Sequence, residues 1–493
     1  MKKILSILCA VVLLFSLAAC ASGEPMDLTG YDYTKTSDKE FQFKTFNGVS
    51  SKMRIYNAND TSYYVKELTD EEFDAYYKDL ADAGFTVATQ PYFPEGTEHN
   101  LRMLDAAQKY GMKQILGEMI GEDGVSLSFM LQGRYTDPNG RPYADYTDEE
   151  VVARCKEFFE PYMDHPAFLG FSLWDEPLYN NFENVARALR LFNQACPGKL
   201  LYVNLLPVSV ARENLGITDD MTKEEYASSF LEMVEMPYVS YDFYAIRRDQ
   251  NGERTTAEEF LYNMQVFKRE AQKKDIPLWT YLLSTEHTFS DYDYPQLTNV
   301  ADVRWQVYSF MAFGGEGVSW FTTFPAVPED SYGGKFGAGL WDRKGRKTQN
   351  YYYVSKVQNE VAAWDEVYLN FDWKGVYTQV GTENKDGFND AFDYLNDGAD
   401  RFTEVEAFSS FETSQDTLVG CFADPDGQAG YMFVNYADPA LLATDRVEVV
   451  FKDAAAAVVY RKGVKSIVPL YGGKLTMNMT PGEGVFVIPL AEK

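Results

Sequence analysis

The chain has 493 residues, 15% of them Phe, Tyr or Trp, and sets 45 Lys and Arg against 74 Asp and Glu, a formal net charge of −29. So acidic a surface repels nucleic acid and anionic lipid headgroups, whereas a neutral, soluble substrate fits it. The length predicts two domains, and rings beyond the needs of a core stack on sugar faces in polar clefts or fill interfaces.

Residues 1–19 begin Met1-Lys2-Lys3, run apolar from Ile4 to Leu17 and end in small residues. That is the pattern of a secretory signal, too short for a lasting transmembrane helix. Leu17-Ala18-Ala19-Cys20 resembles the lipobox of bacterial lipoproteins. The resemblance implies cleavage before Cys20, lipid on its thiol, and a protein held by that lipid at the bacterial surface or a periplasm-facing membrane. Cys9 leaves with the signal, and Cys155, Cys196 and Cys421 are odd in number without C-x-x-C spacing, which predicts buried thiols rather than disulfides or zinc.

Residues 20–45 are polar with no apolar period and read as a tether. A repeating rhythm follows. Strand signals at 52–57, 84–90, 112–119, 168–175, 200–207, 238–244, 276–284 and 317–324 alternate with helix signals at 69–83, 97–110, 148–163, 183–195, 222–235, 257–274, 300–313 and 349–364. Thr69-x-x-Glu72 is a capping box, Thr147 an N-cap and Gly111 a helix stop. Eight such pairs predict a (β/α)₈ TIM barrel over 46–365. From 366 to 493, short Val/Tyr/Phe/Thr runs separated by turns such as Asp424-Pro425-Asp426-Gly427 predict a C-terminal β-sandwich with a structural role.

Active sites of this fold lie at the C-terminal ends of the strands. The residues expected there are Asn57, Gln90, Glu118, Asp175, Glu176, Asn204, Asp242, Ser284 to His287, and Trp320 with Thr322 and Thr323. Alternation along 168–177 places Gly170, Ser172, Trp174 and Glu176 on the lumen face. The only histidines, His99, His165 and His287, have no ligand spacing, and no phosphate loop, dinucleotide fingerprint or G-x-S-x-G elbow occurs. No metal or cofactor is therefore expected. Carboxylates on an aromatic-rich barrel point to glycoside hydrolysis, in which one protonated acid serves the leaving oxygen and one ionised acid attacks or activates water. Glu176, beside Trp174 and Pro177, is the expected proton donor.

Leu173-Trp174-Asp175-Glu176-Pro177 resembles the acid/base signature of the (β/α)₈ retaining glycosidase clan, β-galactosidase-like. The stretches 339–345 and 351–360 are similar to the barrel-closing segment of that family, and the resemblance spans roughly 50–365. It implies Glu176 as general acid/base. Two departures stand out. Asp175 occupies the place of the clan's usual Asn, which binds the sugar 2-hydroxyl. The clan's nucleophile is a Glu at the end of strand seven, whereas here Glu286 arrives only in the following loop. Glu286 is the expected nucleophile, with Asp242 and Glu118 as substitutes, while Asp175, Asn204, Asp242, Trp320, Glu118 and Trp174 are expected to hold the sugar. The alternative is a non-catalytic glycan-binding lipoprotein with a degenerate barrel.

Overall fold

A computed structural model describes residues 26–56, 63–89, 96–117, 125–289, 292–325, 334–383 and 390–492. Eight parallel strands form its centre: β1 (Gln42–Lys44), β2 (Val87–Thr89), β3 (Lys113–Leu116), β4 (Phe168–Asp175), β5 (Leu200–Asn204), β6 (Val239–Asp242), β7 (Leu278–Leu283) and β8 (Gly317–Phe321). Each pairs with its neighbour in sequence, and β1 pairs with β8. The ring closes between β5 and β6 through a bridge from Leu205 to Tyr241, with the Leu205 amide donating to Ser240 O at 2.8 Å. Below the bridge the Tyr238 hydroxyl accepts from the Val203 amide at 2.6 Å and lies 3.1 Å from Leu201 O, replacing ladder bonds where the strands diverge. The fold is a TIM barrel.

Helices α1 (Asp70–Asp82), α2 (Thr97–Lys109), α3 (Asp148–Phe159), α4 (Phe182–Ala195), α5 (Glu224–Met233), α6 (Phe260–Lys274), α7 (Val300–Ala312) and α8 (Gln349–Ala362) form the outer layer. Thr69 and Thr147 both open their helices with capping boxes, each hydroxyl accepting at 3.2 Å from the third helical amide.

The first barrel strand is not the expected one. Residues Lys52–Tyr56 pair antiparallel with Tyr63–Glu67 as a hairpin outside the barrel, and β1 lies earlier, inside the stretch expected to be a tether. The apolar signal there is confined to Phe43, on a strand of three residues, and Phe41 just before it, both buried. From residue 26 onward the supposed tether is packed. Tyr31 is buried against Ala455 and Ala456, the Tyr33 hydroxyl donates to Asp424 Oδ2 at 2.9 Å, and Lys35 pairs with Asp424 at 2.8 Å.

The C-terminal part is a β-sandwich. A seven-stranded sheet, built on Asp372–Gln379, Thr417–Ala423, Ala429–Asn435, Gly484–Ala491 and Ala454–Arg461, faces a three-stranded sheet of Phe408–Thr413, Asp445–Phe451 and Lys474–Met479. Side-chain alternation divides the larger sheet between two cores. Val419, Phe433 and Val487 face the smaller sheet, while Leu418, Met432, Val434 and Phe486 join the barrel core. That second face covers α7, where Trp305 stacks on Tyr436 at 5.1 Å between ring centroids. Cys155, Cys196 and Cys421 are buried free thiols.

Candidate functional site

A cavity of about 630 Å³ opens at the C-terminal ends of the barrel strands. Phe46 beyond β1, Asn204, Asp242, Tyr281 and Phe321 line it from the strands, and the residues two positions earlier, Lys44, Tyr202, Ser240, Trp279 and Ser319, fill the lumen beneath. Its upper wall is a small sheet of His287–Phe289, Tyr292–Tyr294 and Lys335–Phe336.

Strand β4 delivers two acids to the cavity because its alternation breaks. Ser172 pairs with Tyr202, but Trp174 pairs with Val203 and Asp175 with Asn204, so Leu173 is an extra residue in a bulge. The unpaired Leu173 carbonyl accepts from Ser128 Oγ at 2.8 Å and Gln132 Nε2 at 3.0 Å, both on the short helix Leu127–Gln132. Past the bulge, Asp175 rather than Trp174 sits beside Asn204 and faces the cavity. Trp174, expected to touch the sugar, is instead buried beneath the Arg134 guanidinium, 5.1 Å from its ring, and does not line the cavity. Glu176 then takes a left-handed backbone with φ of 53° while its amide donates to Asn204 O at 2.9 Å, and its carboxyl also enters the cavity.

Asn204 ties the acids together. Its Nδ2 donates to Asp242 Oδ1 at 3.1 Å and lies 3.4 Å from Asp175 Oδ1, while its Oδ1 accepts from Ser240 Oγ at 2.9 Å. Asp175 and Glu176 are exposed to solvent through the cavity, with the barrel behind them. Burial, then the charges of Asp242 and Asp175, pushes Glu176 up to about 9. Burial followed by the Asp175 charge raises Asp242 to about 7. Burial, opposed by the Asn204 hydrogen bond, raises Asp175 to about 6. Three carboxyls this close do not all ionise at neutral pH, and Glu176 holds its proton most firmly.

The other expected residues fare differently. Strand β7 ends at Leu283, and the amides of Ser284 and Thr285 both donate to Phe321 O at 3.0 Å, folding the chain over β8. Glu286 therefore projects away from the cavity, with 47% of its side chain exposed and its carboxylate 3.8 Å from Arg248. Trp320 also misses the cavity: it points outward from β8, and its indole N–H donates to Gln358 Oε1 on α8 at 2.7 Å. The neighbouring Phe321 lines the cavity instead, as period-two alternation requires. Glu118, Asn57 and Gln90 lie outside the described residues.

Several lining residues had no role in the sequence reading. His287 stacks on Phe336 at 5.6 Å and 4° between planes, and Tyr244 meets Tyr294 at 5.5 Å and Phe321 at 5.3 Å. The signal for Tyr281 and Phe321 was alternation on their own strands. Tyr294 and Phe336 come from strands of three and two residues, too short for a period to be read. An acid held protonated, two more sharing one amide, and ring faces around them can grip a sugar and move a proton to or from it.

No family model matches the chain, and no curated protein matches it by sequence. Solved structures do resemble it. A family 5 glycoside hydrolase from Bacteroides vulgatus ATCC 8482 is 13% identical, covering 92% of this chain and 89% of its own, with a TM-score of 0.52. An α-amylase from Anoxybacillus is 10% identical over 92% and 98%, with a TM-score of 0.49. A family 39 glycoside hydrolase from Bacteroides cellulosilyticus WH2 is 12% identical over 92% and 81%, with a TM-score of 0.46. The first of these likenesses is one of overall fold.

Proposed function

We propose that this protein hydrolyses glycosidic bonds of an oligo- or polysaccharide by paired carboxylates, and that lipid on Cys20 holds it at the bacterial surface. The observation that carries the reading is the convergence of Asp175 and Glu176, at the end of β4, with Asp242, at the end of β6, in one aromatic-walled cavity. Glu176, protonated at neutral pH, gives its proton to the leaving oxygen. Asp242 takes the role first expected of Glu286. With Glu176 neutral, the Asn204 amide supports negative charge on Asp242, which attacks the anomeric carbon or draws a proton from water. Phe321, Tyr244 and Tyr281 offer ring faces to the pyranose.

A screen on aryl glycosides tests this reading, with turnover expected from wild type and lost in Glu176→Gln. Wild type that binds glycans but turns over none would overturn hydrolysis. It would favour the second reading, a glycan-binding lipoprotein, which one observation supports: β7 brings no carboxylate to the cavity.

The anchoring rests on 1–20 of the sequence, outside the described residues. Met26 stands six positions beyond Cys20, about 20 Å of extended chain at most, and the chain beyond is fixed to the β-sandwich. The sandwich therefore lies nearest the membrane. Labelled fatty acid is expected on wild type and not on Cys20→Ala; a Cys20→Ala protein that still labels would sink the idea.

A further inference from the structure

At the strand ends Asn204 and Tyr244 both serve Asp242, Arg247 is paired with Glu259, and Asp175 is left as an acceptor facing the cavity. Asp175 receives one long amide contact at 3.4 Å, and the Glu176 carboxyl receives no side-chain hydrogen bond. His287, 4% exposed, has Nδ1 2.8 Å from Thr285 O, so the proton sits on Nδ1 and Nε2 is left as an acceptor. Burial lowers its pKa to about 4, so the ring adds no positive charge. Among the described residues, Arg247 alone brings a cation to the wall, and Glu259 pairs with it at 3.0 Å. The cavity thus combines unneutralised negative charge, unfilled acceptors and aromatic faces, the environment that retains a cation with an apolar body.

Hydrolysis by paired acids requires two carboxylates. Glu176 and Asp242 serve that role in the reading above, on which this inference rests, and Asp175 is the third acid at the strand ends. We propose that the sugar taken by this cavity is an amino sugar with a free ammonium group, held by Asp175 through a charge-assisted hydrogen bond, with its ring against the wall of Tyr244, Phe321 and Phe336. An N-acetylated or unsubstituted sugar leaves Asp175 without a charged donor and binds less tightly.

The test measures binding by calorimetry to the full chain carrying Glu176→Gln, which separates recognition from turnover. The probes are glucosamine, galactosamine, their N-acetyl forms, glucose and galactose, each as a monosaccharide and as its β-1,4-linked disaccharide. Working at about pH 6.5 keeps the amine protonated, and about 0.5 M NaCl screens attraction to the acidic surface. In at least one configuration the amine form is expected to bind roughly tenfold tighter than its acetylated and neutral counterparts. Adding Asp175→Asn is expected to close that gap. Equal or weaker binding of the amine in both configurations, no binding of any probe, or a gap unchanged by Asp175→Asn would each overturn the proposal. The two readings fail separately: hydrolysis of neutral aryl glycosides without amine preference refutes this inference alone, whereas amine-selective binding by a wild type that turns over no glycoside refutes hydrolysis alone.

Discussion

Replacing Glu176 by glutamine keeps the side-chain volume and removes the proton that the cavity holds most firmly. A positioned general acid contributes about 10² to 10⁴ in rate, or roughly 3–5 kcal/mol of barrier. The kcat of Glu176→Gln on a sugar leaving group should therefore fall about 10³-fold, and less on a nitrophenyl group that departs without help. Stability should move the opposite way. The folded-state pKa of Glu176 lies above the ordinary 4.5, so between those values the folded protein binds a proton that the unfolded chain has released. The folded protein then holds more protons than the unfolded one, and wild-type stability falls as pH rises through that window. Glutamine does not titrate, so the variant should match wild type at about pH 4 and exceed it at pH 8. The cavity admits water to this carboxyl, which screens it and reduces the gain to about 1 kcal/mol, a rise in Tm of roughly 1–3 °C for the barrel transition. Calorimetry at both pH values, beside kcat on the two substrate types, reads both effects. A Tm difference identical at the two pH values, or a kcat within threefold of wild type on a sugar leaving group, would refute the assignment of Glu176.

Asn204→Ala removes the donor shared by Asp175 and Asp242, so both pKa values should rise further. The acidic limb of the pH–rate profile should shift to higher pH and stability should drop by about 2 kcal/mol, checked by the profile and by urea unfolding. Glu286→Gln should leave kcat/KM within about threefold, since its carboxylate lies half-exposed beside Arg248 outside the cavity; a hundredfold loss in steady-state assays would restore it as nucleophile. Gly170→Ala would put a Cβ 1.9 Å from Leu200 O, forcing β4 and β5 apart just below the bulge. A loss of about 3 kcal/mol in urea unfolding is expected, with kcat falling as Asp175 leaves Asn204.

Much of the architecture was legible because it rests on local rules. Apolar runs of four to eight residues, a Thr-x-x-Glu box before a helix and glycine after one report on chain conformation over a single turn or strand, and α1, α3 and β4 to β8 fall where those signals place them. The short β1 failed that reading. Three residues carry too little pattern to outweigh the longer, better-formed hairpin strand at Lys52–Tyr56.

The ends of the apolar runs located Glu176, Asp175, Asn204 and Asp242 at the strand ends, and the cavity gathers all four. Which neighbours join them depended on hydrogen bonds between strands. A bulge at Leu173, satisfied by Ser128 and Gln132 from a distant helix, turned Trp174 away and Asp175 in. The paired bonds from Ser284 and Thr285 to Phe321 O turned Glu286 out and brought His287 to the wall. The sequence alone determined the period, seven of the eight barrel strands and the acids at the ends of β4 and β6, because each is encoded within a few residues. Only the tertiary structure decided which side chains meet, because a one-residue slip between strands reverses every face beyond it and leaves no mark on the residues themselves.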